Sequence, residues 1–526
     1  MFRILVSDPI SKEGLEPLLQ SDSIEIVQKN VAEAEEELGL FDALLVRSAT
    51  KVTQSLMEKM PNLKIIGRAG VGVDNIDIDQ ATRNGIIVIN APDGNTISTA
   101  EHTFAMITSL MRHIPQANAS VKSKEWKRSA FLGSELYGKV LGIAGLGRIG
   151  SEIAKRARAF GMKVVVFDPF LTNERASKIG VESYSLDQLL QEADIITVHT
   201  PLTKETKGLL NHETIAKTKK GVYLVNCARG GIIDEDALIT YLESGHVKGA
   251  ALDVFVTEPP TDSRLLQFNQ VITTPHLGAS TKEAQLNVAS QVAEEILTFV
   301  NGGQVTSSVN LPSLSEDVYK EIKPFDTLAK KMGSILSQCM REPVQNITVQ
   351  YEGTVADLET SFITKSLIAA FLKGRVDVTV NPVNAGMIAR ERGISLSEGT
   401  TANNSGYANC LTVQVKGDRT TFEIKGTYIP EYGVRIIALN GFSIDFYPEG
   451  HLLYVQHTDV PGVIGNVGRI LGDHSVNIAT MQVGRKKRGG EAIMMLSFDK
   501  PLENSLLEAF NQITEIVSIL PLEMEN

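Results

Sequence analysis

The stretch KVLGIAGLGRIG, Lys139 to Gly150, decides the fold. Its first half, Lys139–Ala144, is an apolar run with strand character. Its second half is a Gly-x-Gly-x-x-Gly turn, Gly145, Gly147 and Gly150, and Ile149, Ile153, Ala154, Ala157 and Phe160 follow at helical spacing. A second apolar strand, Lys163–Phe167, ends in Asp168. Strand, glycine turn, helix, strand and acid in this order form a dinucleotide site. Gly145 permits the tight turn, Gly147 lets the backbone approach a pyrophosphate, and Gly150 lets helix and strand pack closely. The helix start adds free N–H groups and positive dipole. Asp168 suits the adenosine ribose hydroxyls and repels a 2′-phosphate, so the expected cofactor is NAD.

The chain around this stretch has 526 residues, enough for roughly three to four domains at ~150 residues each. Its net charge of −11 argues against a general affinity for nucleic acid or anionic membrane. Three cysteines, Cys227, Cys339 and Cys410, lack metal-ligand spacing and suit a reducing compartment. Met1–Val6 runs almost directly into a strand, without a signal-peptide pattern or an apolar run of transmembrane length, so a cytoplasmic location is expected.

Residues 1–97 alternate short strands and helices, including Lys12–Gln20 and Gln54–Met60, without a glycine fingerprint. Ser98-Thr99-Ala100-Glu101 has the pattern of a capping box opening a long helix, and Ser280-x-x-Glu283 opens another. These two helices read as crossings between domains. The expected architecture is α/β: a Rossmann-type nucleotide domain, 98–281, inserted into a flavodoxin-like substrate domain formed by 1–97 and 282–311. An α+β intervening domain at 312–450 and a βαββαβ module at 452–526 follow.

Ligands of open α/β sheets lie beyond the carboxyl ends of the strands. Thr200 follows one strand of the nucleotide domain, Cys227, Ala228 and Arg229 another; Asp253 ends a third, with Glu258 just after, and His276 follows Thr274-Pro275. Their chemistry is complementary. His276 can take a hydroxyl proton, Glu258 can hold the imidazole, and Arg229 can grip a carboxylate bidentately. Nothing in that scheme calls for a metal. Each residue also has a plainer reading: a structural histidine, a solvated loop glutamate, an arginine paired with Asp234 or Glu235. Cys227 has no visible activating partner and reads as backbone lining of the cofactor site.

The motifs Gly67–Asp77, Gly145–Gly150, Asn226–Gly231, Ala251–Pro259 and Thr274–Thr281 resemble the D-isomer-specific 2-hydroxyacid dehydrogenases over the first ~310 residues. The resemblance implies hydride transfer from a D-2-hydroxy acid to NAD, with catalytic roles on Arg229, Glu258 and His276. It implies cofactor contacts at Arg148, Ile149, Asp168, Thr200, Cys227–Arg229, Asp253, and His276, Leu277, Gly278 and Ala279. Val71 stands where some relatives carry a Thr that touches the cofactor. In members acting on a phosphorylated hydroxy acid, arginines matching Arg47 and Arg68 bind substrate; Gly70 shares that motif, and Arg128 resembles a basic patch reaching a neighbouring subunit's site.

The last ~75 residues resemble an ACT domain, a small-molecule-sensing module that pairs with its own copy. L-serine is the implied effector, at His457, Asp459 and Asn477, with His457 replacing a Tyr of some relatives. A homodimer or homotetramer is the implied assembly. Two other readings stay open: a dehydrogenase for another D-2-hydroxy acid, and a non-catalytic NAD-sensing protein.

Overall fold

The computed structural model describes residues 1–312, 314–401, 406–510 and 512–524. The expected helix end at Asn511 and domain end at Asn526 lie outside the described residues. Twenty-two strands form four sheets among those described.

The first sheet contains β1 (Phe2–Val6), β2 (Ile24–Gln28), β3 (Ala43–Val46), β4 (Ile65–Arg68) and β5 (Ile87–Asn90), in the order β2-β1-β3-β4-β5. All its pairs are parallel. This is the flavodoxin-like order, with its switch point between β1 and β3. Both faces are covered, so Ala43–Val46 is buried at every position. The helix Lys282–Val300 returns from the nucleotide domain to pack Val288, Val292, Ala293 and Ile296 into this core.

The second sheet contains β6 (Val140–Ala144), β7 (Lys163–Phe167), β8 (Glu182–Ser183), β9 (Ile195–Val198), β10 (Val222–Asn226), β11 (Val247–Leu252) and β12 (Val271–Thr273). Its order is β12-β11-β10-β9-β6-β7-β8, again with parallel pairs. The strand order reverses between β6 and β9, beside the glycine turn. A dinucleotide binds at that point in Rossmann domains.

The crossing helices sit where the sequence places them, but their caps differ. The first runs Thr96–Arg112, two residues before the expected start, so the 97/98 boundary falls inside it. Ser98 forms no capping box; its hydroxyl meets Thr281 Oγ1 at 2.7 Å, joining the two crossings. The second helix is capped by Thr281, not Ser280: Thr281 accepts from the Ala284 N–H at 3.0 Å. The expected helix Lys12–Gln20 is a 3-10 turn, Glu13–Leu15, followed by a short helix, Glu16–Leu19, with Pro17 in its first turn.

The intervening region holds β13 (Val344–Gly353), β14 (Ser395–Thr401), β15 (Asn409–Gly417), β16 (Thr421–Ile429), β17 (Gly433–Leu439) and β18 (Phe442–Phe446), ordered β14-β13-β15-β16-β17-β18. A long helix the sequence did not reveal, Glu316–Cys339, packs on it despite Pro324 in its interior. The C-terminal sheet holds β19 (His451–Thr458), β20 (Ile478–Arg485), β21 (Glu491–Phe498) and β22 (Ile516–Glu523), ordered β20-β21-β19-β22. Alternation along β19 divides its two faces. Leu453 and Val455 pack on the helix side, whereas Leu452 and Tyr454 join the core of the intervening domain. The last two domains therefore share one core. No helix among the described residues is long and apolar enough to cross a membrane.

Candidate active site

Two connected clefts lie between the first two domains. One, about 550 Å³, is lined by the glycine turn and the ends of β9, β10 and β11. The other, about 690 Å³, faces the substrate domain, and Arg229 and His276 line both.

The nucleotide cleft fits NAD on its own geometry. Gly145 has φ +99°, and a Cβ there would lie 2.6 Å from the His199 carbonyl. A Cβ on Gly150 would lie 2.2 Å from the Gly145 carbonyl, so helix and turn touch only because that side chain is missing. Around Gly147 there is open space, the room a pyrophosphate needs. Asp168 accepts from the Leu146 N–H at 2.7 Å and the Phe170 N–H at 2.8 Å, which fixes its carboxylate beside the turn. Arg148, Ile149, Thr200, Cys227, Ala228, Gly278 and Ala279 line the cleft. Four lining atoms are buried with no hydrogen-bond partner: Thr200 Oγ1, His199 Nδ1, Asn95 Oδ1 and Thr96 Oγ1. Buried polar atoms seldom stay unpaired, so this set suits a polar ligand. Sequence reading reached Thr200 but not the other three. Arg148 forms an ion pair with Asp93 across the domain boundary.

Cys227 is buried, and burial together with the Asp253 charge pushes its thiol up to about 12. It is a neutral lining residue. Asp253 also lines this cleft. Its carboxylate accepts from Leu277 N (2.7 Å), Gly278 N (2.9 Å) and Thr274 Oγ1 (2.6 Å), and its side chain is 1% exposed. Burial alone would raise this acid, but the donors His102, Thr274 and Leu277 outweigh it and hold Asp253 below the usual carboxylate range. Asp253 thus clamps the 274–278 loop.

That loop presents His276 with φ +55°, a left-handed conformation that a residue with a Cβ adopts at a cost of about 1–2 kcal/mol. Its Nδ1 lies 2.9 Å from Glu258 Oε2, while Glu258 Oε1 accepts from the Phe255 N–H at 3.1 Å. A carboxylate only accepts, so Nδ1 carries the hydrogen and Nε2 is left as a base. Asp234 and Glu235, the alternative partners for Arg229, are used elsewhere: Asp234 caps a helix and Glu235 accepts from Val256 N. Arg229 instead donates from Nε to Asp74 at 2.8 Å and from Nη1 to the Ala228 carbonyl at 2.7 Å. Its Nη2 lies 1.8 Å from where a Cβ on Gly72 would stand.

Arg68 ends β4 and lines the same cleft, with its Nε buried and unpaired. Burial, then the charges of Arg229 and Arg47, push its guanidinium down to about 10, so it remains cationic at neutral pH but lacks a sufficient counter-charge. Gly70 makes room for it: a Cβ there would sit 1.4 Å from Arg68 Nη1. Arg47 lies close enough for its charge to act on Arg68. Its guanidinium donates to the Pro9 carbonyl at 3.2 Å, and Asp8 accepts from its backbone N–H, which holds it beside the arginine pair. Lys51, unmarked in the sequence, lines the cleft. Arg128 is exposed in a 3-10 turn and lines neither cleft of its own chain.

Of the effector candidates, His457 is 2% exposed, facing the helix side of its sheet, with Nδ1 bonded to the Thr458 carbonyl and Nε2 buried without a hydrogen-bond partner. Asp459 holds the 485–489 hairpin through Arg485 and the Gly489 N–H, both at 3.1 Å, and Asn477 donates to Asp499 at 3.2 Å.

Known proteins match this geometry. Residues 104–278 match the model for the D-isomer specific 2-hydroxyacid dehydrogenase, NAD binding domain, and 451–515 match the ACT domain. Residues 321–440 match the D-3-phosphoglycerate dehydrogenase intervening domain. A D-3-phosphoglycerate dehydrogenase of Bacillus subtilis (strain 168) is 69% identical over 519 residues, 99% of each chain. The chain belongs to the D-3-phosphoglycerate dehydrogenase family. A second member, from Synechocystis, is 45% identical over 99% of this chain and 94% of its own. Among solved structures, D-lactate dehydrogenase from Aquifex aeolicus, complexed with NAD and lactic acid, is 35% identical with a TM-score of 0.52, covering 57% of this chain and 96% of its own. D-lactate dehydrogenase from Escherichia coli is 26% identical with a TM-score of 0.52, covering 59% of this chain and 100% of its own. The nucleotide cleft is an NAD site, and the α/β fold with a C-terminal ACT domain is the one expected from the sequence.

Proposed function

We propose that this chain oxidises D-3-phosphoglycerate to 3-phosphooxypyruvate, the entry step of serine synthesis, with NAD as acceptor. The observation that carries the reading is the convergence of Arg68 and Arg229 opposite a carboxylate-backed imidazole in one cleft. A substrate with an anionic group at each end satisfies both arginines.

Arg229 takes the carboxylate through its free Nη2, with Nη1 or Nε released from its present partner to complete the fork. Arg68 takes the phosphate, with Arg47 and Lys51 adding positive potential. His276 Nε2 then faces the C2 hydroxyl and removes its proton, while Glu258 holds the tautomer and balances the imidazolium. NAD, when bound, accepts the hydride that leaves C2. In the opposite direction His276 returns the proton.

L-serine at His457, Asp459 and Asn477 is supported by the unpartnered His457 Nε2 and by Asp459, partly exposed beside its hairpin. A homodimer or homotetramer is supported by the exposed apolar side chains Trp126, Leu132 and Tyr137 around Arg128, at 79%, 86% and 79% exposure. The free cysteines support a cytoplasmic location.

The test is product analysis: purified protein given D-3-phosphoglycerate and NAD should form NADH and 3-phosphooxypyruvate in equal amounts. NAD binding without turnover of any D-2-hydroxy acid would refute the reading.

A further inference from the structure

We propose that His102 is a positioning residue for the proton transfer, acting through Asp253 on the loop that carries His276. This inference rests on the proposed dehydrogenase function and adds a residue outside the Arg229, Glu258 and His276 set.

His102 lies on the crossing helix Thr96–Arg112, not on the nucleotide sheet. Its Nε2 is 3.1 Å from Thr274 Oγ1 and 3.2 Å from Asp253 Oδ1. The Thr274 hydroxyl itself donates to Asp253 Oδ1 at 2.6 Å. Nε2 therefore serves as the donor that completes a part-buried triangle of imidazole, hydroxyl and carboxylate. Two helical neighbours add to the contact. Thr99, three residues earlier, donates to the Gly278 carbonyl at 3.2 Å, and Met106, four residues later, places its sulfur 3.9 Å from Thr274 Oγ1. Residues at this spacing share one helix face. That face grips both ends of the 274–278 loop.

The loop needs such a grip. His276 is held at φ +55° by hydrogen bonds from its own N–H to the Asp253 carbonyl (2.9 Å) and from Leu277 and Gly278 to the Asp253 carboxylate. If Asp253 rotates, the left-handed turn loses its support and the imidazole leaves its line with Glu258. The donor comes from a helix joining the two domains, so the base is registered to the domain boundary as well as to its own sheet. Misplacing a reacting group by about 1 Å costs on the order of 100-fold in rate.

The experiment compares full-length wild type with His102→Ala, His102→Gln and His102→Asn. The Gln amide nitrogen reaches the position of the imidazole Nε2, and the Asn amide falls short of it. Expected is a kcat for D-3-phosphoglycerate about 10- to 100-fold lower in His102→Ala and His102→Asn, with KM within about two-fold. His102→Gln should recover to within about three-fold of wild type. Amide hydrogen exchange at Leu277 and Gly278 should be faster in the Ala and Asn variants and near wild type in the Gln variant. Exchange reads the loop without turnover, so it tests the inference even if the wild type fails to oxidise the substrate, an outcome that refutes only the function. Should the Ala variant not fold, the Gln and Asn pair carries the comparison. A normal kcat with unchanged exchange in His102→Asn, or equal losses in the Gln and Asn variants, would overturn the role of His102.

Discussion

Replacing Glu258 with Gln removes one negative charge and almost no volume. Glu258 Oε2 lies 2.9 Å from His276 Nδ1 and its other oxygen accepts from the Phe255 N–H, so the amide, with its single oxygen turned to Nδ1, keeps the imidazole tautomer and gives up the Phe255 contact. What changes is the stabilisation of the imidazolium formed as the substrate proton transfers. Unit charges about 4 Å apart attract by about 4 kcal/mol at an effective dielectric of ~20 and about 1 kcal/mol in water. The His276 and Glu258 side chains are 51% and 38% exposed, so solvent screening favours the lower half of that range. A loss of about 1–2.5 kcal/mol in the transition state lowers kcat about 5- to 70-fold. KM for the hydroxy acid should change little, because Glu258 touches the imidazole and not the substrate. Steady-state kinetics with both substrates varied is the assay. If Glu258→Gln kept kcat within about two-fold of wild type, the electrostatic role of the pair would be refuted.

Arg68→Ala should raise KM for D-3-phosphoglycerate about 10- to 100-fold, the worth of one charge-assisted contact, with a much smaller effect on D-glycerate; equal losses on both would remove the phosphate role. Gly147→Ala should fold normally, because its Cβ meets nothing within 4 Å, yet weaken NAD binding by calorimetry. Gly150→Ala should lower the melting temperature, because its Cβ overlaps the Gly145 carbonyl. Equal behaviour of these two variants would contradict the assignment of the turn. With its thiol pushed up to about 12, Cys227 is protonated throughout the neutral range, and thiolate forms only as pH approaches that value. Folded protein treated with iodoacetamide at mildly alkaline pH should therefore show Cys227 unmodified by mass spectrometry. Rapid labelling there would refute its reading as inert lining.

The catalytic set was legible because strand ends are legible: parallel β-strands are short apolar runs, and ligands bind just beyond them. Arg229, Glu258 and His276 could be placed on one edge without a coordinate. Asp253 was found for the same reason, but its commitment to the loop depends on backbone N–H groups that residue type does not reveal. His102 was hidden because its partner lies beyond a strand end 172 residues away, at Thr274. Asn95 and Thr96 escaped notice because Ser98-x-x-Glu101 matches the capping pattern and drew the helix start two residues too late. Arg47 and His457 show a different limit. Sequence places a residue on a strand end, but a neighbouring carbonyl, Pro9 or Thr458, decides where its polar atoms turn. The core shared by the last two domains was invisible for a similar reason. Alternation along β19 shows that both faces are apolar, not what covers each one.

The most direct test of the account is the ratio of kcat/KM for D-3-phosphoglycerate to that for D-glycerate at saturating NAD. Two arginines reading two anionic ends predict a ratio of about 10 or more, from at least one charge-assisted contact to the phosphate. A ratio near one, or a preference for the unphosphorylated acid, would contradict it.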